Sequence, residues 1–259
     1  MKYILFLALL SMLSISCKNK KESALEETQE LVSIVNSSYP KNISKVLEAH
    51  GGLDLWNSMQ SLKFTKGEEV TNVNLKSRKS LIETPNHLIG FNGKEVWTKE
   101  KDTVKYKGNA KFYYNLMFYF YAMPFVLADD GIIYKEAKPL TFEGKTYPGI
   151  KVAYKQGIGE SPDDEYILFY DQETNKMAWL AYTVTYFSKA KSKSLHFINY
   201  REWQTVSGLL LPQSLVWYNT ENNQPTTQRS EVLFTHVNVS KERDDDTIFE
   251  IPEGAVVVE

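Results

Sequence analysis

The chain has 259 residues, a formal net charge of −2, 24% charged and 42% hydrophobic residues. That balance is ordinary for a soluble globular domain, long enough for one good core and marginal for two. A near-neutral charge excludes the basic footprint of a nucleic-acid binder, and a lone cysteine, Cys17, excludes an intramolecular disulfide.

Residues 1–16 read as a signal peptide outside the fold. Lys2 supplies the positive start, residues 4–15 the apolar run, and Ser14 and Ser16 the small residues before Cys17. The run is too short to span a bilayer. Leu13-Ser14-Ile15-Ser16-Cys17 resembles a bacterial lipobox, with Ser14 where that pattern has Leu. The resemblance implies cleavage before Cys17 and acylation of its thiol and new amino group, palmitate being one such chain. Each buried methylene then adds about 0.8 kcal/mol of membrane affinity. Residues 17–22 are the lipidated cysteine and a basic tether, and residues 23–259 a single domain. No acidic cluster directly follows Cys17; such a cluster marks surface export in related lipoproteins, so the periplasmic face is expected.

Residues 23–37 read as a helix, with Ser23 as cap and Glu26 three residues on, as in a capping box. A second helix is expected over 43–49, closed by Gly51-Gly52, and a further helical turn over 53–59 with Leu55 and Trp56 inward. Strands follow at 61–71, 76–83, 87–92, 95–99 and 103–107. After a long aromatic stretch they resume at 132–137, 146–154, 165–171, 177–187, 194–203, 211–218 and 231–239. These short runs between turn residues predict an antiparallel barrel or sandwich, and the 16 Tyr, 13 Phe and 5 Trp suit pleated faces. Within 177–187, Leu180, Tyr182, Val184 and Tyr186 share a face. Residues 189–193 and 221–228 read as exposed loops, and Phe249 and Ile251 as packing at the end of the domain.

The stretch from Phe112 to Asp130 has eight Phe or Tyr among nineteen residues. Such a segment must be covered by protein, ligand or membrane. Its length and its Leu, Met and Ala content predict a helix. Pro124 ends or kinks it, or opens a short second helix over 124–128, and Gly131 is the stop.

No catalytic motif is present. His50, His87, His196 and His236 lack metal-ligand spacing, although His196 and His236 lie on predicted strands that could meet. There is no G-x-S-x-G. Asp163-Asp164-Glu165 and Asp244-Asp245-Asp246 read as solvated acidic turns. No cofactor and no enzymatic activity are expected.

Ala49-His50-Gly51-Gly52, then Trp56, then Leu62 and Phe64, resembles the start of an uncharacterised family of Gram-negative envelope lipoproteins. Residues 118–131, ending Met-Pro-Phe-Val-Leu-Ala-Asp-Asp-Gly, look like that family's central segment. The family is in turn similar to the outer-membrane lipoprotein-sorting superfamily, and the Phe249-Glu250-Ile251-Pro252 ending is similar too. The resemblance implies a mainly β fold with some α: a half-open antiparallel β-barrel, a strongly curved sheet, with N-terminal helices and the aromatic stretch as a helical lid. It implies an outer-membrane-anchored periplasmic lipoprotein that binds an acyl chain or other apolar ligand, possible partners being the membrane and a lipoprotein's acyl chain, with protein partners unspecified. The expected ligand-binding residues are Met117, Phe118, Phe120, Tyr121 and Phe125, with Trp179 and Tyr182 from the barrel. Phe118 and Tyr121 replaced by Ser should then weaken uptake and leave the fold intact. The alternative is an envelope interaction module whose aromatic stretch is core.

Overall fold

Spacing of apolar residues by three and four makes the first helix of the computed structural model, which describes residues 40–154, 164–187 and 192–259. The chain divides into two units, Met1–Lys41 and Asn42–Glu259. The expected lipidation site, signal peptide, tether and first helix lie outside the described residues, as does Asp163. Helix α1 (Lys41–Ala49) buries Ile43, Val46 and Leu47. Gly51 follows at φ 106, and a Cβ there would stand 2.6 Å from the Gly208 carbonyl oxygen. Only glycine permits both the backbone conformation and that approach. Helix α2 (Leu53–Ser58) then buries Trp56.

Strands β1 (Ser61–Lys66), β2 (Glu69–Asn74), β3 (Ser80–Glu83), β4 (His87–Phe91) and β5 (Val96–Glu100) run antiparallel in sequence order. The single strand expected over 61–71 is a hairpin, because Gly67 turns the chain at φ 60. Residues 103–107, expected as a strand, are irregular.

The second sheet is built by β6 (Ile132–Phe142), β7 (Lys145–Tyr154), β8 (Tyr166–Tyr170), β9 (Met177–Tyr182), β10 (His196–Val206), β11 (Leu209–Glu221) and β12 (Gln224–Leu233), again antiparallel neighbours in order. The expected loop over 221–228 is therefore mostly strand. The turn needs only Asn222 and Asn223, both at positive φ. β13 (Thr235–Ser240) and β14 (Val256–Val257) return to the first sheet, at its two edges. The run expected as one strand over 231–239 is thus split between sheets at Phe234, whose amide donates to the Gln213 carbonyl at 2.9 Å. Two seven-stranded antiparallel sheets result, and neither closes into a barrel. Period-two alternation is the same in a barrel and in two open sheets, so the pattern alone did not separate them.

Cross-strand register sets the faces. Ile150, Leu168, Leu180, Ile198 and Trp217 pair in one row across β7 to β11, all buried. The other face of the second sheet carries a separate cluster of Leu140, Phe169, Trp179, Ala181 and Phe197, covered by Phe142, Tyr147 and Tyr218. At the end of the chain Phe249 is fully buried, while Ile251 is exposed, contrary to expectation. Phe249 closes the 3-10 turn Asp246–Phe249, and the chain leaves that turn extended from Glu250, so the two side chains do not lie on one regular strand.

In the first sheet Gly90 lies directly opposite Trp97, and a Cβ at Gly90 would come within 2.1 Å of the indole. Trp97 is buried and donates from Nε1 to the Phe249 carbonyl at 3.1 Å. Gly90→Ala is therefore expected to displace the ring and destabilise the fold by about 1–3 kcal/mol or more. Urea unfolding followed by tryptophan fluorescence tests this; an unchanged midpoint would mean that Trp97 has room to move.

Candidate functional site

The aromatic stretch folds as short pieces, because asparagine and proline interrupt it. Asn109 caps α3 (Ala110–Tyr113), its side chain accepting from the Phe112 amide at 3.0 Å. Asn115 precedes α4 (Leu116–Tyr121). A cis Met123–Pro124 bond leads into a 3-10 turn, Phe125–Ala128. The expected sequence of helix, turn and short helix is present, with its first helix in two parts.

This segment sits between the sheets and touches both. Tyr121 packs on Phe64 of β1 at 4.6 Å and on Phe234 at 4.6 Å. Phe120 packs on Tyr182 of β9 at 5.0 Å and on Trp217 of β11 at 5.9 Å. The Tyr200 hydroxyl donates to the Phe120 carbonyl at 2.7 Å. Phe125 stacks on Trp56 at 4.7 Å with the planes 6° apart. Met117, Phe118, Phe120, Tyr121 and Phe125 are all buried. The segment packs against both sheets, with these five side chains turned away from solvent. Burial pushes the Tyr121 and Tyr200 hydroxyls well above the usual tyrosine range, and the Tyr121 hydroxyl has no partner among the described residues.

Trp179 and Tyr182, expected together, are on opposite faces of the second sheet. Tyr182 meets Phe120, while Trp179 meets Phe142 at 4.8 Å and Tyr218 at 4.9 Å. Residues three apart on a strand cannot share a face.

Open space remains beside the segment. A cavity of about 140 Å³ is lined by Val73, Arg78, Ser80, Tyr114, Phe118 and other groups. A larger cleft of about 520 Å³ lies next to it, with Val96, Tyr186, Val257 and Val258 as apolar walls and Lys94, Glu95 and Lys111 as charged ones. Phe91 and Tyr114, 4.8 Å apart, line both hollows. At the edge of the cleft the Tyr186 ring groups with Phe112 at 5.0 Å and with Phe187 at 5.2 Å. Phe187 is 66% exposed and Val256 62%.

Arg78 is the residue that sequence reasoning missed. Asn74 with the polar run after it is a turn signal, but nothing local aims the next arginine at Phe118. In the structure its guanidinium lies 5.1 Å from the Phe118 ring centre and meets both Asp129 oxygens at 2.8 Å. Burial raises the Asp129 carboxyl above its usual range, and the Arg78 charge opposes that rise.

The polar groups singled out earlier have structural partners. His50 is buried, with Nδ1 2.7 Å from the Val46 carbonyl. His87 lies beside Tyr106. His196, on β10, and His236, on β13, belong to different sheets. Asp245 caps the 3-10 turn Asp246–Phe249, and Asp246 pairs with Lys79 at 3.5 Å and with Arg243. Asp164 accepts from the Thr185 amide at 2.7 Å. Among the described residues no group of three His, Cys, Asp or Glu is placed to hold a metal ion, and no helix is long and apolar enough to cross a membrane.

A family model described as a family of unknown function, DUF6503, matches residues 59–224, which include the aromatic segment but not the His50 motif. No curated protein matches the sequence. Among solved structures the chain is similar to a DUF1329 family protein from Desulfovibrio piger, with 11% identity, 76% of this chain and 92% of that one covered, and a TM-score of 0.47. It is similar to a LolA superfamily protein from Nitrosomonas europaea, with 12% identity, coverages of 73% and 87%, and a TM-score of 0.40. A putative outer membrane lipoprotein-sorting protein domain from Vibrio parahaemolyticus aligns at 6% identity, coverages of 75% and 94%, and a TM-score of 0.41. The sequence motifs point to an uncharacterised family, and the match to a family model of unknown function agrees with that.

Proposed function

Since the chain belongs to the DUF6503 family, whose function is unknown, its role is read from its own residues, and we propose that it is a lipid-anchored protein of the Gram-negative outer membrane that binds an acyl chain. The anchor is Cys17, supported by the signal-like run before it, and the side of the membrane is periplasmic, supported by the basic residues that follow Cys17 in place of an acidic cluster. The ligand lies in the cleft beside the aromatic segment rather than in a barrel interior. One observation carries this reading: the cleft of about 520 Å³ has walls of Phe91, Val96, Tyr114, Tyr186 and Val257, and an exposed aromatic edge at Phe187. Burial of an acyl chain there contributes about 25 cal/mol per Å² of apolar surface.

Met117, Phe118, Phe120, Tyr121 and Phe125 then act as the packed support of the site, and Tyr182 backs Phe120. Native mass spectrometry with lipid extraction, on the chain from residue 18, tests the proposal. A stoichiometric lipid is expected. Phe187→Ser, at an exposed position, is expected to lower fluorescent fatty-acid uptake severalfold with no change in melting temperature. An empty protein that takes up no fatty acid would reject the reading. The second reading, an envelope interaction module without a small ligand, is favoured by the burial of Met117, Phe118 and the run from Phe120 to Ala128, and that same empty result would support it.

A further inference from the structure

Arg78 has a bulky side chain on a left-handed backbone, φ 60, a conformation that L residues avoid. The turn before it is closed by four bonds. The Asn74 side-chain oxygen accepts from the Lys76 and Ser77 amides at 3.0 Å each. The Arg78 amide donates to the Asn74 carbonyl and the Asn74 amide to the Lys79 carbonyl, both at 2.9 Å. This turn holds the guanidinium over Phe118 and against Asp129. Nη2 serves both Asp129 oxygens. Nη1 is buried and has no partner among the described residues. A buried, unpaired donor on a charged group is costly unless something else accepts from it.

That something fits the hollow which Arg78 lines. The other walls include Val73, Phe91, Tyr114 and Phe118, and the volume is about 140 Å³. At about 30 Å³ per water molecule, this is room for a carboxylate and a few methylenes. The planar fork of an arginine matches a carboxylate, and the bond is charge-assisted.

We propose that Arg78 recognises the carboxylate of a fatty-acid-like ligand in the cavity beside Phe118, with Nη1 as donor and the chain leaving past Phe91 and Tyr114 into the cleft. This rests on the acyl-binding reading above and adds the head group to it. Asp129 holds one side of the guanidinium and competes with the ligand for its charge. Lys94 and Lys111 line the cleft but not the cavity, so they do not select the head group.

The test displaces a fluorescent fatty acid from the chain starting at residue 18 with decanoate or with its methyl ester. Wild type, Arg78→Gln, Asp129→Asn and the double variant Lys94→Gln with Lys111→Gln are compared, each with a melting curve. Wild type is expected to prefer decanoate by about tenfold or more, as one charge-assisted bond supports. Arg78→Gln is expected to bring the two close to parity while the ester binds as before. Asp129→Asn is expected to tighten decanoate binding severalfold and leave the ester unchanged, an effect that a merely structural ion pair would not give. Should Arg78→Gln fail to fold, the Asp129→Asn result decides. A preference that survives Arg78→Gln and disappears in the lysine variant would overturn the assignment. Equal binding of acid and ester by wild type would also overturn it, while leaving the acyl cleft in place. Binding of neither would remove both.

Discussion

Replacing Phe125 by Ala is expected to lower the unfolding free energy by about 3–5 kcal/mol. Phe125 is fully buried, stacked on Trp56 and edge-on to His50 at 6.5 Å. Trp56 is itself buried on α2, and His50 is tied through its own carbonyl to the Leu210 amide at 2.9 Å. With both neighbours tied into other elements, the site cannot collapse onto the space left behind. Chemical denaturation gives the value directly. Tyr121→Ser should act in the same direction, because Tyr121 is fully buried between Phe64 and Phe234. The lid reading expects the opposite: an intact fold with weakened uptake. A loss below about 1 kcal/mol for Phe125→Ala would restore that reading, since a mobile cover tolerates truncation.

Lowering the pH should destabilise the protein through His50. Its Nδ1 donates to the Val46 carbonyl, which leaves Nε2 as the basic nitrogen, buried and without a partner among the described residues. The Trp203 ring is 4.5 Å away and offers it no acceptor. Burial lowers the imidazole to about 4, against the opposing bond to Val46, and the Lys176 charge lowers it further. The unfolded chain takes up the same proton near 6.5. Between those values the unfolded state binds more protons, so stability rises with pH. The contribution is complete above about 6.5 and is lost as the pH falls to about 4, a change of roughly 3 kcal/mol. Urea unfolding of wild type and His50→Gln at pH 7 and pH 4.5 isolates it, because other titrations are common to both proteins. Wild type is expected to lose more stability than the variant over this interval. Equal losses would mean that the folded state takes up the proton as readily as the unfolded one.

Much of the secondary structure was legible in the sequence, because it is fixed by neighbours along the chain. Alternation placed most strands, from β3 to β11, within a few residues of their ends. The glycines after His50 are local requirements of backbone geometry, and they read as such. Asn92-Gly93, between β4 and β5, is a turn signal of the same local kind. The hairpin at Gly67 was missed although Lys66, Gly67, Glu68 and Glu69 are poor strand formers and a glycine inside a strand-like run marks a turn or bulge. The break at Phe234 had no such signal. Phe234 looks like any other inward strand residue, and only its packing against Phe64 and Tyr121 carries the chain from one sheet to the other.

The site was less legible than the fold. The aromatic stretch was identifiable as a segment that must be covered, since its apolar surface is a property of its own residues. What covers it depends on Phe64, Tyr182, Tyr200, Trp217 and Phe234, which come from distant parts of the chain. Composition therefore left both lid and core open, and the tertiary structure packs the segment against both sheets. Trp179 and Tyr182 were both readable as barrel residues, but register placed them on opposite faces of one sheet. Arg78 had no signal at all, because its meaning lies in Phe118 and Asp129, forty and more residues away. The sequence by itself determined the elements, their turns and the presence of a segment too apolar for water, all set by near neighbours. Which side chains meet across the sheets, and where space is left between them, is a long-range matter that only the packed structure decided.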